Sequence, residues 1–86
     1  MGSYLVNWRR STKKDLRRIA PADVTRIVAV VSTLSDEPRP VGCKKMSGSD
    51  CAYRLRVGNY RIIYEVYDDA IIIEVIKVGH RRDVYQ

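Results

Sequence analysis

The 86-residue chain has no phenylalanine, one tryptophan, one histidine and two cysteines. Cys43 and Cys51, with a single distant histidine, lack the four-ligand spacing of a structural zinc site and read as reduced structural thiols. Neither a metal nor another cofactor is expected. Without phenylalanine, aromatic ribonucleoprotein strand motifs or a Gly-x-x-Gly loop, RNA recognition by base stacking is disfavoured. No uncharged apolar run approaches the roughly 20 residues that span a bilayer, and Arg9 and Arg10 arrive before the apolar region of a signal peptide can form. The expectation is a cytoplasmic chain with no membrane contact. Internal repeats and low-complexity segments are lacking, and a 45% hydrophobic fraction is too apolar for a disordered tail. The length fits one domain over residues 1–86, near the lower size at which a single apolar core suffices, with residues 1–3 given no structural weight.

What the chain does have is positive charge. Sixteen Lys and Arg against ten Asp and Glu leave +6, a balance open to nucleic acid, a membrane surface or mere solubility. Residues 1–35 carry seven basic residues against Asp15 and Asp23. The remainder is nearly balanced, yet six basic residues fall between positions 39 and 61 against Asp50 alone, and most acids lie after Tyr64. There are two basic regions.

Residues 4–8 are aromatic or branched enough for a first strand. Ser11 or Thr12 can cap a helix running to Ala20, with Leu16 and Ile19 as a narrow apolar stripe on a basic surface. Pro21 suits the first turn of a second helix, in which Val24, Ile27, Val28, Val31 and Leu34 recur at helical spacing and must be buried. Residues 36–50, rich in Pro, Gly and Ser, mark a long loop or a poorly regular edge. The pattern then changes to period two, with strands expected over residues 53–57, 60–67 and 70–78. Gly58 and Asn59 fit a two-residue type II′ hairpin loop, and Asp68 and Asp69 are expected to form the second. The fold class is α+β: an N-terminal strand, a helical hairpin and three antiparallel strands, with the helices on one face of the sheet.

A two-residue loop sets Val57 opposite Tyr60, Arg56 opposite Arg61 and Leu55 opposite Ile62. Leu55, Val57, Tyr60, Ile62, Tyr64 and Val66 then face the core, joined by Ile71, Ile73 and Val75. The opposite face receives Arg54, Arg56 and Arg61 with Ile63, Ile72 and Ile76 around them. Facing like charges are destabilising. Two readings compete: arginines spread by solvent or paired with Glu65 and Glu74 for solubility, or an anion site, with phosphate the natural match to the guanidinium fork. If the last strand keeps its parity past Ile76 and Val78, His80 joins the arginine face, where surrounding cations disfavour a second charge and leave an imidazole fit to accept a proton.

The order of elements, the "KKMSG" of residues 44–48, the "YRLRVGNYRIIY" of residues 53–64 and the "VGHRRDVY" of residues 78–85 resemble the RelE toxins of the RelE/ParE superfamily over nearly the whole chain. The resemblance implies a RelE-like β-α-α-β-β-β fold. It also implies a type II toxin, an mRNA interferase that cuts message in the A site of a translating ribosome, inhibits translation and is silenced by a cognate RelB-type antitoxin. Its chemistry is metal-free: the ribose 2′-hydroxyl attacks the adjacent phosphate, which requires a base, cations for the phosphorane and an acid for the leaving oxygen. Carried over by position, Arg61, His80, Arg81 and Tyr85 are the catalytic candidates, and Arg54, Arg56, Lys44 and Lys45 contact RNA phosphates. His80 stands where the family commonly has lysine, as do Arg54 and Arg56. An arginine does not give up its proton, so Arg54 and Arg56 stabilise charge only, and His80 and Tyr85 remain to shuttle protons, with Asp83 as an orienting group.

The basic first helix, with Lys13, Lys14, Arg17 and Arg18, is either a solvated face or an electrostatic dock for ribosomal RNA, and the resemblance favours docking. Two rival functions are a ParE-like inhibitor of DNA gyrase on the same fold and a non-catalytic RNA-binding module. Retention of Arg61, His80, Arg81 and Tyr85 speaks against the first.

Overall fold

Branched and aromatic residues at period two build a sheet, and aliphatic residues at helical spacing lay a second layer on it. In the computed structural model, which describes residues 3–80, β1 (Leu5–Trp8) is followed by α1 (Arg10–Arg17) and α2 (Pro21–Thr33). The chain continues through β2 (Lys44–Lys45), β3 (Ala52–Val57), β4 (Tyr60–Tyr67) and β5 (Ile72–His80). One sheet runs in the order β1-β5-β4-β3-β2, with β1 parallel to β5 and every other pair antiparallel. The α+β class and the helices on one face agree with expectation: Ile19, Ile27, Val31 and Leu34 pack against Leu55, Ile62, Tyr64, Ile73 and Val75. Among the described residues no helix is long and apolar enough to cross a membrane.

Several details differ from the sequence reading. Helix α1 starts at Arg10 with Arg9 as its N-cap residue, so neither Ser11 nor Thr12 caps it; Thr12 is fully buried and its hydroxyl donates to the Arg9 carbonyl. It ends at Arg17 rather than Ala20, because Pro21 opens α2 and the residue before a proline avoids helical torsions: Ala20 sits at φ −59°, ψ 140°. The Pro- and Gly-rich loop holds a short edge strand, β2, which pairs Lys44 with Arg54 and Lys45 with Tyr53. That loop is pinned to the sheet by the buried Tyr64 hydroxyl, which donates to the Pro38 carbonyl at 2.7 Å, and by Arg39, which donates to the Tyr53 hydroxyl at 2.9 Å and to Asp68 at 2.7 Å.

The two hairpins behave differently. The first has the expected register throughout, Val57 to Tyr60, Arg56 to Arg61 and Leu55 to Ile62. Gly58 alone in its loop takes a positive φ, 60°, the type II′ pattern. The second turn is longer than two residues. It spans residues 68–71, and Ile71, expected in the core, is 47% exposed at φ 57°. A branched residue in the left-handed region is strained. Ile71 is held there by the edge of β1, since its carbonyl accepts the Leu5 N–H at 3.0 Å while its own N–H donates to the Asp68 carbonyl at 3.3 Å.

The larger correction is in β5. Tyr64 pairs with Val75, but Ile63 pairs with Lys77, so Ile76 is an extra residue in the strand. One inserted residue moves every later side chain to the other face. Val78 therefore enters the core, only 2% exposed, and His80 pairs with Tyr60 on the helix-covered face instead of joining the arginines. Strand β1 stops at Trp8 opposite Val75. Beyond that point α1 covers the edge of β5, and the Val78 N–H donates to Asp15 Oδ2 at 3.1 Å.

Candidate active site

The hairpin register places Arg54, Arg56 and Arg61 on the open face. Arg56 lies directly opposite Arg61, and Lys44 lies opposite Arg54. Lys44, Arg54, Arg56 and Arg61 line one recess of about 150 Å³ with Gly42 and Leu55. Arg56 is exposed and its Nε donates to the Gly58 carbonyl at 3.4 Å, while Arg54 and Arg61 are half-buried. Ile63, buried between the register positions of Arg54 and Lys77, is the apolar floor beneath these cations. Lys45 stands one step away, exposed opposite Tyr53, in a shallow recess shared with Met46, Ser47 and Arg54.

Each facing pair of like charges costs a few tenths to about 1 kcal/mol relative to a neutral pair. The acids of the same face stand at its other end. Glu74 accepts Arg9 Nε at 3.4 Å, Glu65 forms an ion pair with Arg9 at 4.0 Å, and Glu65 also accepts the Tyr67 hydroxyl, which pushes the Tyr67 pKa up to about 12. At the same end Asp68 takes both Arg39 and the Tyr4 hydroxyl, which lower its pKa. The open face is thus polarised, with cations gathered beside the first hairpin loop and ion pairs closed near the second. A gathered set of guanidinium and ammonium groups over an apolar floor can hold a phosphate and stabilise charge developing on it.

His80 lies in a different place. Its ring meets the Tyr60 ring edge-on, with centroids 5.8 Å apart and planes at 75°. The Tyr60 hydroxyl donates to Asp23 Oδ2 of α2 at 3.1 Å, which raises the Tyr60 pKa. Asp15, Arg18, Ile19, Tyr60 and Lys77 line a cleft with Val78, Gly79 and His80. Sequence reasoning missed Lys77, Tyr60 and Asp23 as neighbours of the site. A signal existed: Glu74 and Lys77 both belong to the open face yet are three apart, and an odd spacing of polar residues in a period-two strand betrays an inserted residue. On α1, Lys13, Lys14, Arg17 and Arg18 are all exposed. Arg81 and Tyr85, with Asp83, lie outside the described residues.

Comparison with known proteins agrees with this fold. A family model described as the ParE toxin of the type II toxin-antitoxin system parDE matches residues 6–85. A putative toxin RelE1 of Methanocaldococcus jannaschii is 35% identical over 85% of this chain and 84% of its own length. Toxin RelG of Mycobacterium tuberculosis is 27% identical over 96% and 97%. Among solved structures, the archaeal RelE-RelB complex of Pyrococcus horikoshii OT3 superposes with a TM-score of 0.82 at 28% identity, covering 92% of this chain and 96% of that one. On the match over residues 6–85 and the identity to RelE1, the chain belongs to the ParE toxin family of type II toxin-antitoxin systems and is a toxin of the RelE type.

Proposed function

We propose that this chain is a ribosome-dependent messenger endoribonuclease. The observation that carries the reading is the gathering of Lys44, Arg54, Arg56 and Arg61 in one recess of the open face while the acids of that face are engaged elsewhere. In the reaction, the 2′-oxygen of a ribose attacks the phosphorus of the following linkage and the bond to the 5′-oxygen breaks. One product ends in a 2′,3′-cyclic phosphate and the other begins with a 5′-hydroxyl, so no metal is required. The arginines stabilise the negative charge that accumulates on the phosphoryl oxygens. By their match to the family's terminal motif, Tyr85 takes the 2′ proton and Arg81 stabilises the charge on the leaving 5′-oxygen, which takes its proton from water. His80 approaches from the other face of β5 and is assigned to the substrate beside the cut rather than to the phosphate being cut.

The exposed cations of α1 dock the toxin on ribosomal RNA, where each neutralised phosphate steepens the salt dependence. An antitoxin of the RelB type silences it, as the complexes solved for the archaeal and mycobacterial relatives suggest, and an acidic segment complements the +6 charge. Its place of action is the cytoplasm, where ribosomes are.

Transcript ends mapped after brief expression test the reading. Cyclic-phosphate ends appearing only in the presence of ribosomes are expected, and ends independent of ribosomes would overturn it. The ParE family model favours one second reading, an action on DNA gyrase, and supercoiling measured in parallel separates the two: loss of supercoiling with intact messages selects the gyrase reading.

A further inference from the structure

One more cation stands on the open face beside the arginine recess. Lys77 of β5 pairs with Ile63, Ile63 with Arg54, and Arg54 with Lys44, so the four form a row across the sheet. Lys44 and Arg54 lie on one side of the buried Ile63 and Lys77 on the other. We propose that Lys77 is a further phosphate-binding residue, closing the recess from the β5 side and holding an RNA phosphate over Ile63 against Arg54 and Arg61. The inference rests on the endoribonuclease reading above, to which it adds a residue.

Three observations carry it. The first is spacing: neighbouring strands lie about 4.8 Å apart, so two steps set the backbones of Arg54 and Lys77 roughly 10 Å apart, and both side chains are long enough to meet a phosphate standing between them. The second is the state of the lysine. Lys77 is exposed, and among the described residues its ammonium forms no ion pair or hydrogen bond. The carboxylates nearest it in register are engaged elsewhere: Glu65 and Glu74 share Arg9, and Glu65 also accepts the Tyr67 hydroxyl. Asp15, at the edge of β5, accepts the Val78 N–H. A lysine ammonium is a compact charge that meets a phosphate from any direction, beside the fixed fork of an arginine.

The third observation is Gly79, which pairs with Arg61 on the same face, two positions beyond Lys77. It puts no side chain opposite Arg61 and so leaves room on β5 between Arg61 and Lys77. Glycine inside a strand marks a bulge, a tight bend or a close approach by a ligand, and the bulge of β5 lies at Ile76 instead. That bulge creates the arrangement, since without it position 77 would face the helices as Val75 does. The phosphate comes to Ile63 from above the open face, so the β5 edge beneath α1 is not crossed.

The test is titration of the isotope-labelled toxin with inorganic phosphate and, separately, with a 2′-O-methylated hexanucleotide, which lacks the attacking hydroxyl and is not cut. The Lys77 Nζ signal is followed beside the guanidinium signals of Arg54 and Arg61, and the three are expected to move together with both probes. Lys77→Gln is expected to weaken hexanucleotide binding by roughly tenfold, as for one lost hydrogen bond to a charged group, and to lower the salt slope by about 0.7, the value for one single-strand phosphate. Cleavage of ribosome-bound message is expected to fall by roughly the same factor. Lys14→Gln, which removes an equal charge from α1 outside the recess, loses less hexanucleotide affinity. A Lys77 signal that stays still while those of Arg54 and Arg61 move would overturn the assignment and leave the endoribonuclease reading standing. Equal losses of affinity in Lys77→Gln and Lys14→Gln, or wild-type cleavage by Lys77→Gln, would do the same. Joint movement of the three signals, with messages left intact on ribosomes by the wild-type toxin, would keep Lys77 in the anion site and overturn that reading.

Discussion

The two hairpins of this sheet use similar strands and reach opposite electrostatic outcomes. Around the loop of Gly58 and Asn59, like charges face one another, Arg56 against Arg61 and Lys44 against Arg54. Around residues 68–71, Asp68 holds Arg39 and Tyr4, and the facing carboxylates Glu65 and Glu74 share Arg9 between them. Facing cations cost a folded chain some stability, and a cluster of them on an open face suits an anionic ligand. On the proposed reading, the difference separates the end that acts from the end closed by ion pairs.

That contrast can be broken most sharply at the arginines. Arg56→Gln or Arg61→Gln should lower messenger cleavage by roughly 10²–10³, the usual effect of removing one donor to a charged transition state, and Arg56→Gln should leave folding stability level or raise it by about a few tenths of a kcal/mol. Arg39→Gln at the other end should do the reverse, lowering stability by roughly 1 kcal/mol through its lost ion pair and its contact with the Tyr53 ring, with cleavage within about twofold of wild type. Cleavage assays and chemical denaturation on the same preparations decide it.

Next in size is the docking helix. Replacing Lys13, Lys14, Arg17 and Arg18 together by Gln should weaken ribosome binding by about tenfold or more at moderate salt and flatten its dependence on salt. A slope equal to that of wild type refutes docking.

The loops themselves give a pair of opposite signs. Gly58→Ala forces a Cβ into the left-handed region, 3.4 Å from the Arg26 guanidinium, and should cost roughly 1–2 kcal/mol. Ile71→Gly at φ 57° relieves the same kind of strain and should raise stability by roughly 0.5–1 kcal/mol. Two shifts of the same sign would contradict the geometry of one of the turns.

The smallest effects are in pH. Asp68 is held below its ordinary pKa by Arg39, then by Tyr4, so its contribution is complete above about 3.9 and is lost as pH falls below that value. Tyr67 is raised to about 12 by its bond to Glu65, so its contribution is complete below about 10 and is lost as pH climbs through about 12. Asp68→Asn should flatten the acid arm of the stability profile and Tyr67→Phe the alkaline arm. An alkaline arm unchanged in Tyr67→Phe would show that the Glu65 bond contributes nothing.

How much of this could be read in advance depended on how local each cause was. The first hairpin was legible because a glycine at the first loop position and a period-two pattern on both strands fix the pairing within a dozen residues. The helix over Val24, Ile27, Val31 and Leu34 was legible for a similar reason. The ends of α1 were not, since the helix takes its start from Arg9, which hydrogen-bonds to β5, and its stop from Pro21. Strand β2 is only two residues long and exists because β3 offers it an edge. Of the candidate site, the Arg54, Arg56 and Arg61 cluster follows from register, whereas Lys44 joins it only through the edge pairing of β2 and His80 was expected on a face it does not occupy.

By itself the sequence determined the order of elements, the buried stripe of α2, the register of the first hairpin and therefore the assembly of a cationic face. These are short-range consequences of periodicity, turn chemistry and charge. Only the tertiary structure decided where β5 turns over. The bulge at Ile76 lies just where β1 has ended, where Arg9 closes the ladder on Val75 and Asp15 from α1 takes the Val78 N–H in place of a strand. Those partners come from residues more than sixty positions away in the chain, and no local pattern names them. The face on which His80 lies is the result of that long-range substitution of a helix for a strand.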